Sequence, residues 1–200
     1  MWLRILIAGI IGGILVFIMG FICHGILGLQ GPGRAIWNIP DSTSFTEHLK
    51  TRDLKPGLYL FPDMPIGADQ KDQAKMNEAN ERYKAGPSGL LLVMPSGHDM
   101  MTLDMLGMEF VTDVVSALLA AWIVSLIGAD VGFGRRWLAV VVMGAFAWFS
   151  LSTSYGIWYH FPHTFIHDEF LCAFLEWSVA GVTIAAIVRR RPVVVTTANT

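Results

Sequence analysis

The sequence predicts an all-α membrane bundle of four transmembrane helices, with a small α/β extracytoplasmic insert between helices 1 and 2. Three observations predict it. Four apolar runs each approach the length that crosses a hydrocarbon core of about 30 Å, which takes about 20 helical residues. Charge is confined, since no Asp, Glu, Lys or Arg lies between Arg4 and Arg34, or from Trp137 to His167. Arginines in the short flanks of the apolar runs all fall on one side.

Composition agrees. Of 200 residues, 54% are apolar and 15% charged, too greasy for an ordinary soluble domain of this length. A net charge of −2 argues against a nucleic-acid partner, which calls for a basic face.

The first span is "ILIAGIIGGILVFIMGFICHGIL", Ile5 to Leu27. It exceeds a signal-peptide core and lacks a convincing small-x-small cleavage site, so it reads as a retained anchor. The second runs from about Phe110 to Ile127, the third from about Trp137 to Tyr155, the fourth from about Phe170 to Val188. In lipid, every backbone polar group must be satisfied within the chain, so these runs are helices.

Arg4 precedes span one, Arg135 and Arg136 lie between spans two and three, and Arg189 to Arg191 follow span four. Lys and Arg in short flanks mark the cytoplasmic side. Both termini are therefore expected in the cytoplasm, in a bacterial inner membrane. The loop "STSYGIWYHFPHTFIHDE" has no Lys or Arg and is expected outside.

The domain organisation expected is residues 1–28 as helix 1, 29–108 as the insert, and 109–200 as helices 2–4 with a cytoplasmic tail. Within the insert, "STSFTEHLKTRD" reads as a capped helix and "ADQKDQAKMNEANERYK" as a charged one that stops at Gly86-Pro87. "GLYLFP" and "GLLLVMP" read as strands bounded by Gly and Pro. Two strands alone are marginal, so the insert is expected to lean on the bundle or on a partner.

Ionisable residues within spans are costly and usually face a bundle interior. Gly9, Gly13, Gly20 and His24 recur at steps of four, seven and four, which puts them on one face of span one. Small residues there permit close helix approach. Glu109, Asp113, Ser116 and Ala120 form a stripe in span two, and Glu169, Ala173, Glu176, Ala180 and Thr183 another in span four. His24, Asp113 and Glu176 are thus expected as an intramembrane polar cluster near the outer leaflet. Such groups fix helix register, or they form a metal, proton or cofactor site.

Further candidate metal ligands lie outside. His163 and His167 in "HFPHTFIHDEF" are four apart on one helix face, a spacing that suits one metal ion. A continuous helix turns His167 and Glu176 to nearly opposite sides, so they cannot share that ion. His98 stands among Met94, Met100, Met101, Met105 and Met108, and thioethers with imidazole suit copper(I). Flexible methionines equally fill irregular contacts with a bundle or partner. The candidate ligands are therefore His163, His167, His24 and His98, with copper or zinc the metals considered. Cys23 and Cys172 sit in apolar stretches, where thiols most often act as small packing residues. A disulfide between them requires both to lie near an oxidising face.

The glycine-rich first span, "GLYLFP", "AGPSGLLLVMP", the aspartate of "TDVVSALLAAW", and "WYHFP" leading to "VAGVTIAAIVRR" carry a resemblance. The chain resembles a group of uncharacterised bacterial four-span integral membrane proteins with an extracytoplasmic insert. The resemblance implies the topology and no chemistry.

The functional expectation is a non-catalytic integral membrane protein, an accessory or scaffold subunit of a larger membrane complex. Its partners would be the lipid bilayer and a protein partner or a second copy. The alternatives are a metal- or cofactor-binding membrane protein with a His/carboxylate site on the outer side, and a small proton-coupled transporter using Asp113 and Glu176. Enzymatic turnover has least support, because no nucleophile elbow, phosphate loop or His-Glu-x-x-His helix occurs.

Overall fold

The computed structural model describes residues 1–94, 97, 99–128 and 130–189. The chain is mostly helical, with one two-stranded antiparallel sheet. Four helices are long and apolar enough to cross a membrane. They are α1, Trp2–Phe21, with its continuation to Ile26, then α4, Leu103–Leu126, α5, Phe133–Tyr159, and α6, His163–Ile187. Between α1 and α4 come α2, Ser42–Lys50, β1, Gly57–Phe61, α3, Gln73–Ala85, and β2, Gly89–Val93.

The helices outrun the apolar stretches that announce them. Helix α4 begins at Leu103 because the Thr102 hydroxyl accepts the Met105 N–H at 3.2 Å. Capping, and not hydropathy, sets that start. Helix α6 likewise begins directly after Pro162, ahead of its apolar run.

Residues Met1–Trp37, Met101–Gly156 and Phe161–Thr200 form one compact unit. In it, α1 lies against α4 and α6, and glycine sets the spacing. A Cβ added at Gly13 would fall 2.8 Å from the Val114 N, and one at Gly9 2.8 Å from the Leu118 Cα. At Gly12 the same atom would meet Ala117 of α4 and Ile184 of α6, each at 3.3 Å. Only hydrogen fits at such approaches, and packing then gains the dispersion contacts that hold helices together in lipid. The facing positions are small as well: Ala8, Ala117, Ala121, Ala180 and Ala185 are fully buried.

Helix α5 packs on α6. A Cβ at Gly144 would lie 2.8 Å from the Trp177 Cβ, and one at Gly181 3.3 Å from the Val140 Cβ. Two indole N–H groups donate across the pair, Trp137 to the Ser178 carbonyl and Trp148 to the Ile166 carbonyl, each at 3.0 Å.

At the end of the bundle that holds the N-terminus, arginines satisfy carbonyls that a helix terminus leaves open. Arg136 is buried, donating to the Ala185 carbonyl at 3.2 Å and the Val131 carbonyl at 2.5 Å. Arg4 donates to the Arg189 carbonyl at 2.7 Å.

The second compact unit comprises Asn38–Met100 and Ile157–His160. Asp41 caps α2 by accepting the Ser44 N–H, and Asp72 caps α3 by accepting from Ala74 at 2.9 Å and Lys75 at 3.3 Å. Strand β1 pairs with β2 in the register Leu58↔Leu92, Tyr59↔Leu91 and Leu60↔Leu90. Side chains alternate across a sheet, so Leu58, Leu60, Leu90 and Leu92 share one face. Leu58 and Leu92 are 62% and 66% exposed.

Candidate functional site

Polar chemistry gathers where α1 ends and α6 begins. After Phe21 the helix widens into a π turn, Ile22–Ile26, closed by Leu27 N–H to the Ile22 carbonyl at 2.8 Å. Such wide turns recur at functional positions. Cys23 is fully buried, whereas His24 faces outward, its Nδ1 3.2 Å from the Leu29 carbonyl oxygen. Cys23, seven residues on from the buried Val16, continues the packing face of α1, and His24 falls at its edge.

The chain then reverses through "GLQGPGRAIW", with positive φ at Gly28, Gln30 and Gly33. This loop is anchored to Asp168, only 1% exposed. Arg34 Nε donates to Asp168 Oδ2 at 2.5 Å and its terminal nitrogen to Oδ1 at 2.7 Å. The Gln30 N–H adds a third bond to Oδ2 at 3.1 Å. Planar guanidinium and carboxylate match in this two-point contact, which fixes orientation as well as distance. The carboxylate beside it raises the Arg34 pKa further, so the guanidinium stays charged. His167 Nδ1 lies 3.7 Å from Asp168 Oδ1, beyond a good hydrogen bond.

Below this clamp lie the carboxylates of α4 and α6. Glu176 faces α1 at its glycine, where a Cβ on Gly20 would come within 3.3 Å of Oε1. It is also within electrostatic range of Asp113 and Glu109. Asp113 is half-buried and Glu109 exposed. Glu169 keeps one buried carboxylate oxygen without a hydrogen-bond partner among the described residues.

Of the residues singled out from the sequence, Asp113 lies within electrostatic range of Glu176, and His24 is exposed. His163 and His167 are both exposed on the first turns of α6. His98 lies outside the described residues. Among the described residues, no group of three or more His, Cys, Asp or Glu gathers in a way that could hold a metal ion. Met100, Met101 and Met108 are 99%, 70% and 72% exposed.

The Arg34–Asp168 pair was not singled out from the sequence. Its signal is the position of two charges: the first Arg after span one, and an Asp just before the apolar run of span four. Both stand at the same end of apolar helices, and a charge there gains most by finding its opposite.

Compared with models of protein families, with curated proteins and with solved structures, the chain matches none.

Proposed function

We propose that the protein is a non-catalytic accessory or scaffold subunit of an inner-membrane complex. In this reading both termini are cytoplasmic, and the α/β unit stands on the outer side, where it receives a partner protein. The observation that carries it is the leucine face of the sheet. A two-stranded sheet with one solvated face carries polar residues there. This one presents Leu58 and Leu92 side by side and more than half exposed, with Leu60 beside them at 43%. A groove of about 470 Å³ continues the surface, lined by Leu58, Leu60, Met64, Tyr83, Leu90 and Trp158. Contiguous apolar surface of this kind marks an interaction site.

Affinity purification from native membranes in mild detergent tests the reading. Wild-type protein should bring a stoichiometric partner, and the Leu58→Asp/Leu92→Asp variant should insert normally but lose it. A monodisperse monomer with nothing bound would overturn the proposal.

A second reading draws on the proximity of Glu109, Asp113 and Glu176, which favours proton handling at this depth. Flux in proteoliposomes that survives both Asp113→Asn and Glu176→Gln would remove it.

A further inference from the structure

Cys23 and Cys172 are 149 positions apart in the chain and occupy one small buried cluster with Leu29. Cys23 is fully buried and Cys172 is 4% exposed. Both thiols are free. Helix register independently places them opposite one another. Gly12 faces Ile184 and Gly20 faces Glu176, so each step up α1 is matched by a step down α6. Continuing that antiparallel register by one turn brings Cys23 to Cys172. Helices α1 and α6 run close together along this face, and a disulfide needs close backbones.

We infer that Cys23 and Cys172 are a disulfide-forming pair that covalently ties the π turn at the end of α1 to α6. The oxidant is a disulfide, supplied by a small molecule or by another protein. One cysteine thiolate attacks that disulfide, forming a mixed disulfide and releasing one thiol. The second cysteine thiolate then attacks the protein sulfur of the mixed disulfide, expelling the other thiol. Two cysteine thiols and one disulfide become one Cys23–Cys172 bond and two small thiols, so hydrogens and electrons balance. The bond lies just beneath the Arg34–Asp168 clamp in the chain, since Cys23 precedes the clamped loop and Cys172 is one helical turn beyond Asp168. Tether and clamp therefore act on the same loop.

The test uses the full chain, reduced in detergent and then treated with 4,4′-dithiodipyridine, a membrane-permeant disulfide. Denaturation in SDS and labelling with a maleimide-polyethylene glycol follow. The oxidised wild type should take no label, carry no pyridine adduct and weigh two hydrogens less than the reduced chain. Reduction should restore two labels. Cys23→Ser and Cys172→Ser should each retain a single pyridine adduct. A chain with Cys172→Ser and Ala173→Cys moves the thiol to the next position of α6, and it should fail to close. Two pyridine adducts on the wild type, disulfide-linked dimers, or equal closure by the displaced cysteine would overturn the inference.

Discussion

Arg34 and Asp168, 134 positions apart, meet through two hydrogen bonds of 2.5 and 2.7 Å, although the arginine side chain is 49% exposed and the aspartate 1%. That asymmetry decides what each substitution does. Removing the arginine strands a carboxylate out of water, which is the costly way to break a buried pair. Thermal denaturation in detergent should therefore show a clear loss for Arg34→Ala. Arg34→Lys should fall between it and wild type, because a lysine cannot reproduce the two-point contact. Adding Asp168→Asn to Arg34→Ala should return part of the loss, since the stranded charge is gone. Losses that simply add in the double variant would show that the two side chains are not coupled.

Glycine packing makes a second prediction with an internal control. A methyl group at Gly13 would meet the backbone of α4, which cannot move aside as a side chain can. Overpacking of this kind costs about 1–3 kcal/mol. Gly107, also in α4, has no atom within 4 Å of an added Cβ. There the same substitution should be neutral or gain up to about 1 kcal/mol from helix propensity. Unfolding of Gly13→Ala and Gly107→Ala in SDS-containing micelles compares them directly. Similar midpoints for the two would show that α1 does not approach α4 as closely as described.

Much of this fold can be read from the residues themselves. Gly57 and Phe61 bound the first strand as the Gly-and-Pro pattern suggests, and Gly86 ends α3 with a positive φ that suits glycine. Those signals are local, and local signals survive in sequence. The expected position of His24 relied on its step from Gly20, but the buried face of α1 runs through Val16 to Cys23 and leaves His24 exposed at its edge. Nor does any residue in "ICHGI" announce the π turn there, in which the Leu27 N–H closes onto the Ile22 carbonyl. The loop 29–37 illustrates a second kind of gap. Its polarity groups it with the insert, but Gln30 and Arg34 bind it to Asp168, so it packs with the helices. Partner choice over such a separation depends on tertiary contacts that polarity along the chain does not record.

Topology can be tested with single cysteines, since Cys23 and Cys172 are buried and should react slowly. Lys84, on α3, has a 63% exposed side chain. In intact spheroplasts, Lys84→Cys should react with a membrane-impermeant maleimide. Arg135→Cys, exposed at the start of α5, should react only after lysis. The proposed orientation follows from arginine placement. The reverse labelling pattern would invert it and move the leucine face to the cytoplasm.

Arg135 and Arg136 are adjacent and carry the same charge, yet they should behave differently. Arg135 is exposed, whereas Arg136 is 9% exposed and donates to two carbonyls, one at the end of α6 and one just before α5. If both served only as topological charges, Arg135→Ala and Arg136→Ala would have equal effects on insertion and none on the folded bundle. The geometry instead assigns Arg136 a second role. Truncating it leaves the Ala185 and Val131 carbonyls without their donor, and such a loss costs about 1–3 kcal/mol for a buried group. Arg136→Ala should thus lower the denaturation midpoint while orientation stays intact, and Arg135→Ala should leave the midpoint near wild type. Arg136→Lys separates charge from geometry, because it keeps the positive charge and has one nitrogen where two are needed. A lysine variant as stable as wild type would mean that charge alone matters at this position.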